Sequence, residues 1–349
     1  MINSMMYTEI TEQPEAIALG LPSFRQQIQS MRLKHTHLDR IVFVGSGDSY
    51  FAPLALELAC YRNLQVPVSI WYSGDAATYR SFRPSDLVIP ISVSGQSAAT
   101  LAAAQTARLQ GSSLLAITGS GDSQLAQLAH HTLVFNFHSR SRQTPHTVDY
   151  MSTLLAIAVI IEHLAETPLT FLDNLGERVD AVLTATQRVA AKIAGEIGDQ
   201  DHFFFLGSGP DFGCAQYAAA KFWEAGGLWA LPFELQEFAH GGHLLLEPGA
   251  PIIVVTSSAA AQHRLAQRLQ SLTAIGGRPI VVVEHSSVIE DAWTIATHYS
   301  GGEWSPFFTA LPLQWLCLYV ANAKGIDLLT SEGRQRTATG YRKLQAAWN

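Results

Sequence analysis

The sequence predicts an α/β protein made of two similar αβα sandwiches, each a mainly parallel sheet flanked by helices. Three observations carry that prediction. Short apolar runs alternate with helical patterns along most of the chain, the signature of parallel strands joined by crossover helices. Phe204-Phe-Leu-Gly-Ser-Gly-Pro210 repeats Val42-Phe-Val-Gly-Ser-Gly-Asp48 at an offset of 162 positions, so the architecture has two copies of one unit rather than a solenoid. The chain has 349 residues, of which 48% are hydrophobic and 15% charged, enough for two domains of ordinary size with large buried cores.

Taken in order, residues 1–39 read as a polar helical segment. The first sandwich spans 40–170. It opens with the strand Arg40-Ile-Val-Phe-Val-Gly45, a Gly/Ser turn and a helix to about Tyr61. Strands follow at Val66 to Tyr72, Leu87 to Ile91, Ser113 to Thr118 and Thr132 to Phe137, with helical patterns between them. A long helix from about Asp149 to His163 closes this half, and residues 171–197 form a bridging helix. The second sandwich spans 198–330, with strand-like runs at Pro251 to Thr256, Pro279 to Glu284 and Trp293 to Tyr299. Residues 331–349 form a C-terminal tail.

Composition excludes several functions. A net charge of -7 argues against a nucleic-acid surface. The apolar stretches, such as Leu154 to Ile161, are too short to span a bilayer, so no membrane partner is expected. Cys60, Cys214 and Cys317 are far apart and lack metal-type spacing. With no signal peptide ahead of them they suit a reducing cytoplasm, and neither a metal nor a cofactor is expected.

The chemistry concentrates in Leu87-Val-Ile-Pro-Ile-Ser-Val-Ser-Gly-Gln-Ser-Ala-Ala-Thr100. A strand end breaks into Ser92, Ser94, Gly95, Ser97 and Thr100, and a helix begins at Ala98. The first amides of a helix lack carbonyl partners and carry partial positive charge. Added hydroxyls and a glycine make such a place a phosphate cradle. The loop has no lysine and no GxxxxGK[ST], so it is not a nucleotide P-loop. A Ser-rich turn with an ordinary N-cap has the same pattern. Ligands of open α/β sheets sit beyond the carboxyl ends of the strands, which places Gly45 to Ser49 beside Ser92 to Ser97. The second copy reads Thr256-Ser-Ser-Ala-Ala-Ala-Gln262 and has no glycine where backbone would approach a ligand. It offers instead Lys221-Phe-Trp-Glu224, two charges on one helical face, and His240 before Gly241-Gly242. A surface ion pair and a helix-end histidine bonded to backbone are the plainer readings of those residues. His243 is less specific.

Together these residues resemble the tandem-domain members of the sugar isomerase (SIS) family, in particular the isomerase half of glucosamine-6-phosphate synthases and the related fructosamine-6-phosphate deglycases. The similarity runs from Glu9-Ile-Thr-Glu-Gln-Pro14 to Pro312-Leu-Gln-Trp-Leu316 and Lys324-Gly-Ile-Asp327. The resemblance implies that Ser92, Ser94, Gln96 and Ser97 hold a sugar phosphate together with Ser49. Gly47, Asp48, Val93, Thr144 and His146 would line the substrate, Val93 standing where the synthases have a glutamine. Glu224 and His240 have the sixteen-residue separation of the family's glutamate and histidine, and Lys221 matches a lysine one turn before the glutamate. Tyr217 stands where the synthases have a further glutamate. The tail differs in motif, and Lys343 is the candidate for a family lysine that forms an imine, in a tail lying over the active site.

The function so implied is an aldose–ketose isomerase, deaminase or deglycase acting on an amino-sugar or ketosamine 6-phosphate, without a glutaminase domain. Glu224, His240, Lys221 and Lys343 are its candidate catalytic residues. Its partner is a small-molecule sugar phosphate, in a homodimer with the active site at the interface. A desolvated carboxylate at Glu224 would shuttle the proton. A non-catalytic sugar-phosphate sensor that regulates a partner protein is the alternative.

Overall fold

The structure, a computed structural model, describes residues 4–31, 38–137, 139, 145–257, 265–285, 292–326 and 328. The chain forms two compact units. Among the described residues, one comprises Pro14–Ser139 and Val148–Gly176; the other gathers the N-terminal residues through Gln13, residues 145–147 and the chain from Glu177 to Leu328.

In the first unit the strands β1 (Arg40–Gly45), β2 (Val68–Tyr72), β3 (Asp86–Ser92), β4 (Ser113–Thr118) and β5 (His131–Val134) form an all-parallel sheet in the order β2-β1-β3-β4-β5. The central strand β3 is buried along its whole length, as a strand covered on both faces must be. It contains Pro90, which has no N–H to give the ladder. Pairing with β4 runs at Leu87 and Val88 and resumes in the same register at Ile91 and Ser92. Helix α1 (Met5–Gln29) begins the chain and is cut between the two units at Pro14. Helices α2 (Asp48–Ala55), α3 (Glu57–Asn63), α4 (Ser73–Thr78), α5 (Ala98–Leu109), α6 (Gln124–Leu128) and α7 (Val148–Leu164) complete the unit. The single helix expected to run to Tyr61 is broken at Leu56, after Pro53 removes a turn-to-turn hydrogen bond. Ala103, Ala104 and Ala107 of α5 pack on Val42, Val44, Val88 and Leu114 of the sheet.

In the second unit β6 (His202–Gly207), β7 (Trp229–Glu234), β8 (Pro251–Thr256), β9 (Arg278–Val283) and β10 (Trp293–Ala296) are again all parallel, in the order β7-β6-β8-β9-β10. Strand for strand this is the order of the first sheet. The registers agree as well: Phe43 faces Ile89 in the first sheet and Phe205 faces Ile253 in the second. Helices α8 (Leu175–Ile197), α9 (Pro210–Gly226), α10 (Leu265–Ala274) and α11 (Pro306–Ala323) surround it. Strand β7 has no counterpart in the apolar patterns of the sequence. It lies at the sheet edge and carries Pro232, which an edge strand tolerates and a pattern search reads as a break. Among the described residues no helix is long and apolar enough to cross a membrane.

Candidate functional site

The two Gly-Ser-Gly turns fold alike. Gly47 and Gly209 precede α2 and α9 with φ of 57° and 56°, a left-handed conformation in which glycine carries no steric cost. In the first sheet the strand order reverses between β1 and β3, so the turn after β1 and the loop after β3 leave neighbouring strand ends, the usual ligand position of open α/β sheets.

At that position Ser49 and Ser92 are buried, Ser94, Ser97, Asp48 and Val93 half-buried, and Gly47 and Gln96 exposed. The loop organises itself. The Gly95 N–H donates to the Ser92 carbonyl at 2.9 Å and to Ser92 Oγ at 3.1 Å, and the Gln96 N–H donates to Ser94 Oγ at 3.2 Å. The Val93 carbonyl accepts the Gly119 N–H at 2.9 Å. Gly95 has φ of 62°, and a Cβ there would lie 2.2 Å from Ser123 Cβ. No other residue fits, because the loop lies directly on the turn after β4. Ser97 caps α5 without a side-chain bond to the first-turn amides. Its hydroxyl instead accepts from Thr100 Oγ1 at 3.2 Å, and Thr100 Oγ1 lies 2.8 Å from Ser73 Oγ. The arrangement is therefore more than an ordinary N-cap. Hydroxyls are gathered at a helix start whose first-turn amides carry no side-chain cap, which suits a multivalent anion.

The second sheet shows why its own switch point is different. By strand register Ser257 occupies the position of Val93, and Asp211 that of Ser49. Asp211 Oδ2 accepts the Ser257 N–H at 2.9 Å, and Ser305 Oγ donates to Ser257 Oγ at 2.8 Å. A carboxylate supplied by the chain thus sits on the backbone amide of the strand end. Burial pushes the Asp211 carboxyl up to about 6 and the charge of Glu284 adds to that, while the Ser257 hydrogen bonds pull it down. The absence of a glycine from this loop is one half of its divergence. The built-in anion is the other, and nothing in the sequence pattern announces it.

The second unit also holds the candidate catalytic pair. Lys221 Nζ lies 2.7 Å from Glu224 Oε2. The expectation that Glu224 is the desolvated member is not met: its side chain is 40% exposed, whereas that of Lys221 is 2% exposed. Helix α9 is apolar nearly all round, so sequence periodicity does not say which of two residues one turn apart points inward. The pair is not a surface ion pair either, because its ammonium is buried. Lys221 Nζ also donates to the His146 carbonyl at 3.2 Å, and lies 5.3 Å from the centroid of the Tyr217 ring. Tyr217 is fully buried, and its hydroxyl accepts from Gln314 Nε2 at 3.0 Å; Gln314 Oε1 accepts from Gln13 Nε2 at 2.7 Å. An aromatic face therefore serves the buried ammonium where a carboxylate was the alternative.

His240 ends a short 3-10 turn, Glu237–His240, and is exposed. In the following turn Leu244 and Leu245 are 79% and 57% exposed. His243 is half-buried, with Nδ1 3.4 Å from the Phe238 carbonyl. Thr144 and Lys343, with the tail 331–349, lie outside the described residues. Sequence reasoning missed Glu9 as a site residue. Its carboxylate is 1% exposed, accepts the Thr147 N–H at 3.0 Å and lies 3.7 Å from His146 Nδ1. Among the described residues no group of three or more His, Cys, Asp or Glu is placed to hold a metal ion.

In comparison with known proteins, residues 36–163, which include all of the first sheet, match the family model described as SIS domain. The chain is similar to glutamine–fructose-6-phosphate aminotransferase (isomerizing) of Clostridium perfringens, 24% identical over 93% of this chain and 57% of the relative. The enzyme of the same name from Thermococcus kodakarensis is 25% identical over 92% of this chain and 56% of the relative. The chain thus spans a little over half the length of these relatives. Its fold matches the C-terminal domain of glucosamine-fructose-6-phosphate aminotransferase from Francisella tularensis, with a TM-score of 0.84 at 21% identity over 94% of this chain and 99% of that one. It also matches tagatose-6-phosphate ketose/aldose isomerase from Escherichia coli, with a TM-score of 0.80 at 18% identity over 94% and 95% of the two chains. Residues 36–163 thus resemble a SIS domain, and the α/β fold of the chain is that of these solved structures.

Proposed function

We propose that this protein is a phosphosugar enzyme that isomerises, deaminates or deglycates an amino-sugar or ketosamine 6-phosphate. The observation that carries the reading is the buried Lys221 ammonium ion-paired with a Glu224 that keeps access to solvent. A buried charge is costly and is rarely retained without a task. The ammonium is suited to polarising a carbonyl oxygen, and the adjacent accessible carboxylate to moving a proton between neighbouring carbons. The hydroxyl loop Ser92, Ser94, Gln96 and Ser97, with Ser49, takes the role of phosphate binding in this reading. The names of the relatives, all concerned with hexose 6-phosphates, support the substrate class.

The working form in this reading is a homodimer in which His240 completes a neighbour's site by opening the sugar ring. Exposure of His240 beside exposed Leu244 and Leu245 supports that part, since leucines in a short turn are more stable covered. The three free, buried cysteines suit a reducing cytoplasm. The test is direct: incubate the protein with fructose 6-phosphate plus ammonia, with glucosamine 6-phosphate and with fructosamine 6-phosphates, and follow products by mass. Conversion of one of them is expected. Binding without conversion of any would favour a sensor.

A further inference from the structure

Glu9 and His146 stand 137 positions apart in the sequence and face each other at 3.7 Å. Glu9 is 1% exposed, and the His146 side chain is 26% exposed. This is a buried carboxylate behind an accessible imidazole. Its other oxygen is anchored by the Thr147 N–H at 3.0 Å. The backbone between them does more: the His146 carbonyl accepts from Lys221 Nζ at 3.2 Å, and Lys221 is paired with Glu224 at 2.7 Å. Four groups, Glu9, His146, Lys221 and Glu224, are thus linked through the two residues His146 and Thr147. Among the described residues, Glu9 of α1 and Lys221 of α9 are the charged groups in contact with that segment, and Glu224 of α9 pairs with Lys221.

We propose that His146 is a further catalytic residue of the reaction assigned above, carrying protons to and from the heteroatoms on C1 and C2 of the substrate, with Glu9 as its positioning residue. The proposal rests on that functional reading. Enolisation needs two kinds of proton movement, and Glu224 accounts for only one. When Glu224 takes the proton from C2, the C2–H electron pair forms the C1=C2 bond. The carbonyl pair moves onto O1, which takes a proton from the His146 imidazolium. With an amino sugar the resulting enolamine collapses in the reverse sense: an N2–H proton passes to the neutral imidazole, C2=N forms, and C1 takes the proton back from Glu224. Both side chains end as they began. A carboxylate behind the imidazole stabilises its protonated form and fixes the ring.

The test has two arms on the full chain. In the first, histidine ring signals are followed by NMR against pH, with His146 assigned by its loss in His146→Gln. Glu9→Gln keeps an acceptor for the Thr147 N–H and removes the charge. It is expected to move the His146 midpoint down, since an opposite charge beside the ring is removed. An unmoved midpoint overturns the dyad. In the second arm, His146→Gln is assayed on whichever phosphosugar the wild type converts. The expected result is a kcat lowered at least about 100-fold with KM little changed, and partial rescue of His146→Ala by added imidazole. A wild-type kcat in His146→Gln, with Glu224→Gln inactive, overturns this proposal and leaves the functional reading intact. A wild type that converts no phosphosugar removes both.

Discussion

Asp211 offers a perturbation whose size follows from its surroundings. Its carboxyl is 1% exposed and is pushed from 3.8 up to about 6, chiefly by burial. A carboxyl with a folded pKa above its unfolded one holds its proton more tightly in the native state. That contribution to stability is complete below 3.8 and is lost as pH rises through 6. At about 1.4 kcal/mol per pH unit the loss is about 3 kcal/mol. Asp211→Asn keeps an acceptor for the Ser257 N–H and does not titrate. Any packing cost of the amide is the same at every pH and cancels from the pH dependence. The expected result is that, between pH 4 and 7, the wild type loses about 3 kcal/mol relative to Asp211→Asn, read by urea denaturation of both proteins across that range. A stability difference that stays flat over the same range refutes the reasoning, because Asp211 would then titrate like an exposed carboxyl.

Three other outcomes follow from the geometry. Gly95→Ala places a Cβ 2.2 Å from that of Ser123 at a φ of 62°, and is expected to cost more than about 2 kcal/mol; a melting temperature equal to wild type contradicts this. Ser94→Ala removes the acceptor of the Gln96 N–H and, in the proposed site, one hydrogen bond to phosphate worth about 1.5–3 kcal/mol. Calorimetry with a phosphosugar ligand should show affinity weaker by ten-fold or more, and unchanged affinity in a folded variant counts against the loop. Cys60, Cys214 and Cys317 are all buried, and burial pushes the Cys60 thiol up to about 12. A thiol reagent should label none of them in the native protein at pH 8 and all three in denaturant; rapid native labelling would show that a core opens readily.

What the sequence reveals is what is encoded locally. The repeated Gly-Ser-Gly turns are legible because glycine at a positive φ is local chemistry, and Gly47 and Gly209 adopt nearly the same angle. Strand β4, Ser113–Thr118, and strand β8, Pro251–Thr256, begin and end where their apolar runs do. The hydroxyl loop is legible for the same reason, since its serines, glycine and helix start lie within nine residues. The rest depends on distant partners. Glu9 meets Thr147 across 138 positions, and no periodicity reports that. Burial of Lys221 rather than Glu224 depends on the His146 carbonyl and the Tyr217 ring that receive its ammonium. Strand β7 is hidden because Pro232 looks like a break until β7 is seen to be an edge.

The central claim is that Glu224 moves a carbon-bound proton of a phosphosugar. The most direct measurement incubates wild type and Glu224→Gln with fructose 6-phosphate or glucosamine 6-phosphate in deuterated water and follows the C1 and C2 protons by NMR. The account predicts that deuterium enters with the wild-type protein. With Glu224→Gln it predicts incorporation at least about 100-fold slower, with phosphosugar binding and melting temperature preserved. Incorporation at the same rate in both proteins would contradict it, and would leave the Lys221–Glu224 pair a structural feature of α9.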